Sequence, residues 1–485
     1  MPKRVVHLAD PDISIDGRTL RDRVLGIQQE LRVSAEFPPG VEACARDAVA
    51  LPRLPTTDRT ELPFVTIDPA SAMDLDQALY LERSSSGYLV HYAIADVAAF
   101  VAPDDPVDIE ANRRGETLYG ADSKIPLHPK SLSESAASLL PDQIRPALVW
   151  TLKLDTDGDC TDVHVERALV RSRAKLDYRS VQRSFDDGTI DPMLALLKEV
   201  GELRLAKEQE RGGVSLPLPS QEIQVANDQW SLSYEQPLAV EQWNAQISLL
   251  TGMGAASLML DAQVGILRTL PPAEQTDLDR LRHVARAVGQ QWPGQMPYPE
   301  FIRSVDPASP SGAAVLVAAT RTLRGAGYVS FNGSVPPQPR HSALAASYTH
   351  VTAPLRRLID RFTGEICLAL CAGKPVPDWV LAKLDQLPET MRESTRRANQ
   401  YERAILDLVE AALLADQVGS TFEGILVSVD EKAAENGSLM IASPSIEGPI
   451  HGTAPLPLGQ QVSARLRKSD VDNRQILFDL LGTAN

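Results

Sequence analysis

The chain has 485 residues, 43% of them hydrophobic, which is too many for one ordinary core, so two or more domains are expected. No apolar run is long enough to span a bilayer, the N-terminus MPKRVVHLADPD lacks the apolar stretch of a signal peptide, and four cysteines do not make a disulfide framework. A cytoplasmic protein with no membrane partner is therefore expected, and its net charge of −16 argues, taken alone, against nucleic acid.

Binding depends on where cations cluster, however, and the arginines cluster late: Arg356, Arg357 and Arg361, then Arg392, Arg396, Arg397 and Arg403. A basic channel inside an acidic exterior reconciles the two facts.

Residues 1–50 are expected to be a small helical segment. In GRTLRDRVLGIQQELR, Leu20, Val24, Ile27 and Leu31 recur at helical spacing, and after the break at Phe37 to Gly40 a second helix follows in VEACARDAVAL. The pair either packs on the main domain, the preferred reading, or forms a helix-turn-helix-like module.

The next stretch, FVTIDPASAMDLDQAL from Phe64 to Leu79, is the one the rest is organised around. Phe64 to Ile67 has the composition of a buried strand and delivers Asp68 at its end. Pro69, Ala70 and Ser71 suit a turn, and Asp74 and Asp76, two apart, share one face of an extended chain. Three converging carboxylates suit a hard cation such as Mg²⁺. An acidic loop facing solvent is the plain alternative.

LDQALYLER and GYLVHYAIADVAAFVA read as strands, followed by a helix from Asp108 to Arg114 and an irregular ETLYGADSKIPLHP. ALVWTLKLDTDGDCTDVHVERALVRS is a hairpin; its Asp155 to Asp159 turn resembles the start of a calcium loop, but Cys160 stands where glycine is required and the flanks are strands. Helical pattern returns from Asp177 to about Arg211, at 237–262 and at 272–289, the last two separated by GILRTLPP. YVSFNGSVPPQPRHSALAASYTHVTAPLRR reads as a loop carrying His341, Tyr348, His350, Arg356 and Arg357, a reasonable place for function. Helices follow from Leu358 to Leu370 and from Pro388 to Ala415. Cys367 and Cys371, with no partner pair at ligand spacing, read as packed core thiols. From Gly419 to Leu481 five short strands fit a small oligonucleotide-binding barrel.

In this order the motifs resemble the ribonuclease II and R family of exoribonucleases, from about residue 35 to the C-terminus. Thr66-Ile67-Asp68 through Asp74, Asp76 and Ala78 matches the hallmark T-I-D-x5-D-x-D-D-A. Ile94-Ala95-Asp96-Val97, IPLHP at 125–129, RGGVSLPLP at 211–219, YTHVTAPLRRLID and RRANQYER are similar to further family stretches, and the terminal barrel to an S1 domain. The resemblance implies an α+β fold: an RNB catalytic domain at 51–415, a mixed sheet surrounded by helices, and an S1 (OB-fold) domain at 418–485.

It also implies 3′→5′ hydrolysis of RNA to 5′-nucleotides with one or two Mg²⁺ ions, Mn²⁺ being the alternative, by a monomer. The partner would be a single-stranded RNA 3′ end or structured RNA with a 3′ overhang. Asp68, Asp74 and Asp76 would hold the metal. Arg356 would stabilise charge on the scissile phosphate, beside Arg357 as a further substrate contact. Tyr119 would stack on terminal bases and Glu402 would position the 3′-terminal nucleotide.

Several departures matter. Gln77 replaces the fourth acidic residue of the hallmark, and either its amide oxygen ligates weakly or Asp96 substitutes, although a structural role suits Asp96 better. Leu358 replaces a tyrosine, Glu241-Gln242 stands for a Glu pair, and the S1 segment has only Phe422 and Phe478 as aromatics. About 65 residues precede the hallmark, too few for the family's two cold-shock barrels, so a short form with weaker grip on long single strands is expected. An RNA-binding protein that has lost hydrolysis through Gln77, and a DNA exonuclease, are the competing functions.

Overall fold

A computed structural model describes residues 15–121, 123–218, 220–226, 229–235 and 237–484. Its centre is a six-stranded mixed sheet in the order Cys160–Arg171, Ile144–Leu154, Gly87–Ala95, Gln77–Ser84, Val65–Asp68, Ala174–Asp177. All neighbours are antiparallel except the last pair, in which Asp68 lies opposite Asp177.

Both faces of the sheet are covered, and alternation along each strand sorts the side chains. Leu79, Leu81, Tyr92, Ile94, Leu148, Trp150 and Leu152 point into a large core shared with the helices Ala239–Asp261 and Leu358–Cys371. Their neighbours Ala78, Ala93, Ala147 and Val149 face a second core with Phe64, Leu75 and Leu355. Full burial of a side chain such as Trp150 or Phe362 contributes roughly 1.5–3 kcal/mol each, so the sheet is a rigid platform for what sits at its ends.

A closed five-stranded barrel follows the long helix Leu387–Leu413: Thr421–Val429, Asn436–Ile441, Ile446–His451, Gln461–Asp470 and Gln475–Thr483. The N-terminal helices Gly17–Glu30 and Pro39–Ala50 join different cores. Leu20, Val24 and Ile27 pack with the long helix and the barrel, whereas Val41 and Ala45 pack under the sheet. They share no core of their own, as helices of a helix-turn-helix module would. Residues ahead of 15 lie outside the described residues.

Two stretches differ from the sequence reading. GILRTLPP and the first part of the late loop are paired strands, Val264–Thr269 with Gly327–Asn332. The aromatic and β-branched Tyr328-Val329-Ser330-Phe331 run has strand character, but the Pro and Gly around it dominated the sequence pattern. The irregular 116–129 segment likewise contains a two-residue ladder, Leu118–Tyr119 with Lys124–Ile125. The Asp155 to Asp159 turn is a plain one, its Asp155 Oδ1 accepting from the backbone N–H of Asp157 at 3.0 Å and of Asp159 at 2.9 Å. Cys367 is buried, and all four cysteines are free.

Candidate active site

Asp68 ends its strand, and the loop after it is held from both sides of Leu75. The backbone N–H of Leu75 donates to Ser138 Oγ at 2.9 Å, Ser138 Oγ donates to the Met73 carbonyl at 2.6 Å, and the Leu139 N–H donates to the Leu75 carbonyl at 3.0 Å. With Leu75 fully buried, its neighbours Asp74 and Asp76 project together on the other side, as alternation in an extended segment requires.

A second loop meets them. Gly252 lets it approach: a Cβ there would lie 2.2 Å from the Tyr348 ring, so only glycine allows the chain after Tyr348 to lie on the helix Ala239–Asp261. Further along, Leu355 donates its N–H to Asp76 Oδ1 at 2.7 Å, and Arg356 Nε lies 3.3 Å from Asp76 Oδ2. Arg357 turns away. Its Nε and Nη2 hold Asp360 Oδ2 and Oδ1 at 2.5 and 2.8 Å, and the Ala353 N–H donates to the same carboxylate at 2.7 Å. The loop is stitched to the 115–117 segment through Thr117 N–H to the Arg356 carbonyl at 3.0 Å and Leu358 N–H to the Gly115 carbonyl at 2.9 Å. That stitching brings half-buried Tyr119, two residues on, within electrostatic reach of Arg356, Asp74 and Asp76.

Burial dominates the electrostatics. It pushes the Asp76 carboxyl up to about 8 and that of Asp68 up to about 6; Arg356 opposes both shifts and the charge of Asp74 adds to both. Asp68 Oδ2 is buried without a hydrogen-bond partner. Asp74 pairs with Lys124 Nζ at 2.8 Å, and the same ammonium reaches Glu134 at 3.0 Å. For a hard divalent cation the donor set fits: oxygen donors alone, one of them orphaned, and two carboxyls that a nearby cation would relieve of the cost of ionising. As they stand, no group of three His, Cys, Asp or Glu among the described residues is close enough to enclose an ion.

Gln77 is occupied elsewhere. Its Oε1 accepts from the Tyr92 hydroxyl and its Nε2 donates to the Thr352 carbonyl, both at 2.6 Å, so it ties the sheet to the second loop. Asp96 is 2% exposed and pairs with Arg167 Nε at 2.6 Å, and Arg167 also pairs with Glu365, an arrangement that holds the sheet edge to the helix Leu358–Cys371. Glu402 stands on the exposed face of the long helix with no hydrogen bond or ion pair among the described residues, while Tyr401 beside it is buried. The structure thus gathers Asp68, Asp74, Asp76, Arg356 and Tyr119, commits Arg357 to Asp360, and leaves Glu402 exposed on the long helix. Lys124 and Glu134 escaped sequence reasoning, because the ladder that carries Lys124 to Asp74 is two residues long.

A family model described as the RNB domain matches residues 56–369, and one described as the RNase II-type exonuclease C-terminal S1 domain matches residues 420–481. Ribonuclease R of Escherichia coli (strain K12) is 27% identical over 400 residues, covering 77% of this chain and 48% of that protein. Exoribonuclease 2 of Proteus mirabilis is 39% identical over 162 residues, 31% of this chain and 25% of that protein. The chain spans about half the length of the first curated relatives it matches. Among solved structures, the apo form of Mycoplasma genitalium RNase R superposes with a TM-score of 0.84 at 20% identity, covering 96% of this chain and 78% of that one. Yeast Ssd1, described as a pseudonuclease, superposes at 0.69 with 15% identity, over 94% of this chain and 57% of its own. No helix among the described residues is long and apolar enough to cross a membrane.

Proposed function

The chain belongs to the RNB domain family, and from that membership we propose that it hydrolyses RNA phosphodiester bonds from the 3′ end, releasing 5′-nucleotides with a divalent cation, Mg²⁺ or Mn²⁺. The observation that carries the reading is the meeting of Asp68, Asp74 and Asp76 with Arg356, whose side chain is 40% exposed beside Asp76 while its neighbour is held by Asp360.

Asp68, Asp74 and Asp76 would hold the cation, which when bound supplies an activated water and neutralises charge on the phosphate. Arg356 offers a permanent planar cation to the phosphoryl oxygens, and its backbone fixing by Thr117 and Leu355 keeps it in place through turnover. Tyr119 offers a ring face for the terminal base, which tolerates any sequence. Asp68 and Asp76 must both shed their protons before they can serve as ligands, so the site works best at neutral to alkaline pH.

A second reading, RNA binding without hydrolysis, draws on Gln77: both ends of its amide are used inside the protein, so it supplies no ligand in place of the missing carboxylate. Incubating 3′-labelled and 5′-labelled RNA with Mg²⁺, wild type beside Asp76→Asn, separates the two. Release of mononucleotides from the 3′ end by the wild type and none by the variant is expected; an inert wild type that still binds RNA favours the second reading. A deoxy oligomer of equal length reports RNA over DNA preference.

A further inference from the structure

Lys124 is placed where a surface lysine would not be. The ladder Leu118–Tyr119 with Lys124–Ile125, closed by the Gly120 N–H to Ser123 carbonyl bond at 2.8 Å, sets Lys124 directly opposite Tyr119. Tyr119 then serves the Arg356 side of the site and Lys124 the Asp74 side. The ammonium is gripped by two carboxylates, Asp74 Oδ1 at 2.8 Å and Glu134 Oε1 at 3.0 Å, and its side chain is only 21% exposed. Glu134 in turn is carried on the π-helical turn Leu132–Ala136, closed by the Ala137 N–H to Leu132 carbonyl bond at 2.9 Å, whose Leu132 and Ser133 are buried. A flexible four-carbon stem held at both sides in this way is an ordered charge rather than a solvated one.

The charges around the site then differ from those of a two-ion centre. Four carboxylates, those of the three aspartates and Glu134, face the two cations in contact with them, Arg356 and Lys124, and leave two net negative charges. Gln77, a neutral amide, adds no charge, and its two ends are engaged by Tyr92 and Thr352. One divalent ion cancels that charge; a second would leave the site in positive excess and would find Asp74 and Glu134 each with one oxygen already taken by Lys124.

We propose that Lys124 holds the place of one cation, so that the centre takes a single divalent ion, held by Asp68 and Asp76 with the other oxygen of Asp74, while Lys124 supplies the second positive charge. Glu134 is the positioning residue that keeps Lys124 there. The inference rests on the metal-dependent reading of the site given above.

The test is a count of ions by Mn²⁺ titration, followed by electron paramagnetic resonance, on the full chain at pH 8. Ions lost in the Asp68→Asn/Asp74→Asn/Asp76→Asn variant define the site. The expected count is one per chain in the wild type and in Lys124→Arg, rising to two in Lys124→Met, with circular dichroism confirming that each variant is folded. Glu134→Gln, which loosens the lysine, should weaken the distinction and let a second ion bind at high Mn²⁺. Two ions in the wild type, or one in both the wild type and Lys124→Met, or none in any, would overturn the proposal. RNA hydrolysis by the same wild-type sample is read separately. Hydrolysis with two ions sinks the lysine and keeps the nuclease, whereas no hydrolysis with the one-to-two change does the reverse.

Discussion

Arg357 and Asp360 form a bidentate pair at 2.5 and 2.8 Å, and that pair decides which of two adjacent arginines faces the carboxylates. Arg357 sits at the N-cap of the helix Leu358–Cys371 with extended backbone, so its side chain reaches back over the first turn to Asp360. Arg356, one residue earlier, is left pointing at Asp76.

The two arginines should therefore fail differently. Arg356→Ala is expected to lower the hydrolysis rate about 10²- to 10³-fold, the usual cost of losing one charge-stabilising donor, with the melting temperature nearly unchanged. Arg357→Ala leaves Asp360, 1% exposed, without its cation and should cost about 3–5 kcal/mol of stability by chemical denaturation. A larger melting shift in Arg356→Ala than in Arg357→Ala would contradict the assignment.

Metal and proton compete at Asp68 and Asp76. Burial raises both carboxyls above their ordinary 3.8 in the folded chain, to about 6 and about 8, so the metal-free stability tied to these two groups is fully present below the ordinary value and is lost as pH rises through the raised ones. Adding Mg²⁺ should then raise the melting temperature more at pH 8 than at pH 6, with protons released on binding. Asp76→Asn, which mimics the protonated form, should flatten the metal-free profile between pH 6 and pH 8. An Mg²⁺-induced shift that is largest at pH 6 would refute this account.

Gln77 is expected to matter for stability rather than for ligation. Gln77→Asp shortens the side chain and cannot donate to the Thr352 carbonyl, leaving that acceptor and the Tyr92 hydroxyl without their partners; a loss of about 1–3 kcal/mol should follow. Gain of activity in Gln77→Asp without loss of stability would show that the position faces the ion after all.

A second buried acid lies where the long helix meets the barrel. Glu410 Oε1 accepts from Gln221 Nε2 at 2.6 Å and from the Glu447 N–H at 3.2 Å, and burial pushes its carboxyl up to about 7, with Asp407 adding to the shift and Arg403 opposing it. Its folded value is above the ordinary 4.5, so the stability tied to it is present in acid and lost as pH rises through 7. Glu410→Gln should remove that slope in thermal melts recorded at pH 6 and pH 8.

The carboxylates were legible because their geometry is local: a strand end, a turn, and two residues that alternate around a buried leucine. The barrel was legible for the same reason, since each strand carries its own turn signals. What the sequence hid depends on partners far along the chain. Arg356 and Arg357 stand four and three residues before Asp360, both workable spacings on a helix, and only the helix start chooses between them. Lys124 meets Asp74 across a ladder too short to show alternation. Tyr328 to Phe331 was masked by neighbouring prolines, although its pairing with Val264–Thr269 forms a proper strand.

The helix Gly17–Glu30 buries Leu20, Val24 and Ile27 in the core that the barrel completes, and Arg23 pairs with Asp472 and Arg474 with Glu30. The partners of Arg23 and Glu30 lie more than 440 positions away in sequence. During synthesis, this helix therefore waits for a segment made more than 440 residues later, and closing so long a loop is slow compared with helix formation. The helix Gly17–Glu30 leaves the ribosome with an apolar face that the barrel does not yet cover, so its protection until the barrel strands emerge is a demand on the cell that the finished fold conceals.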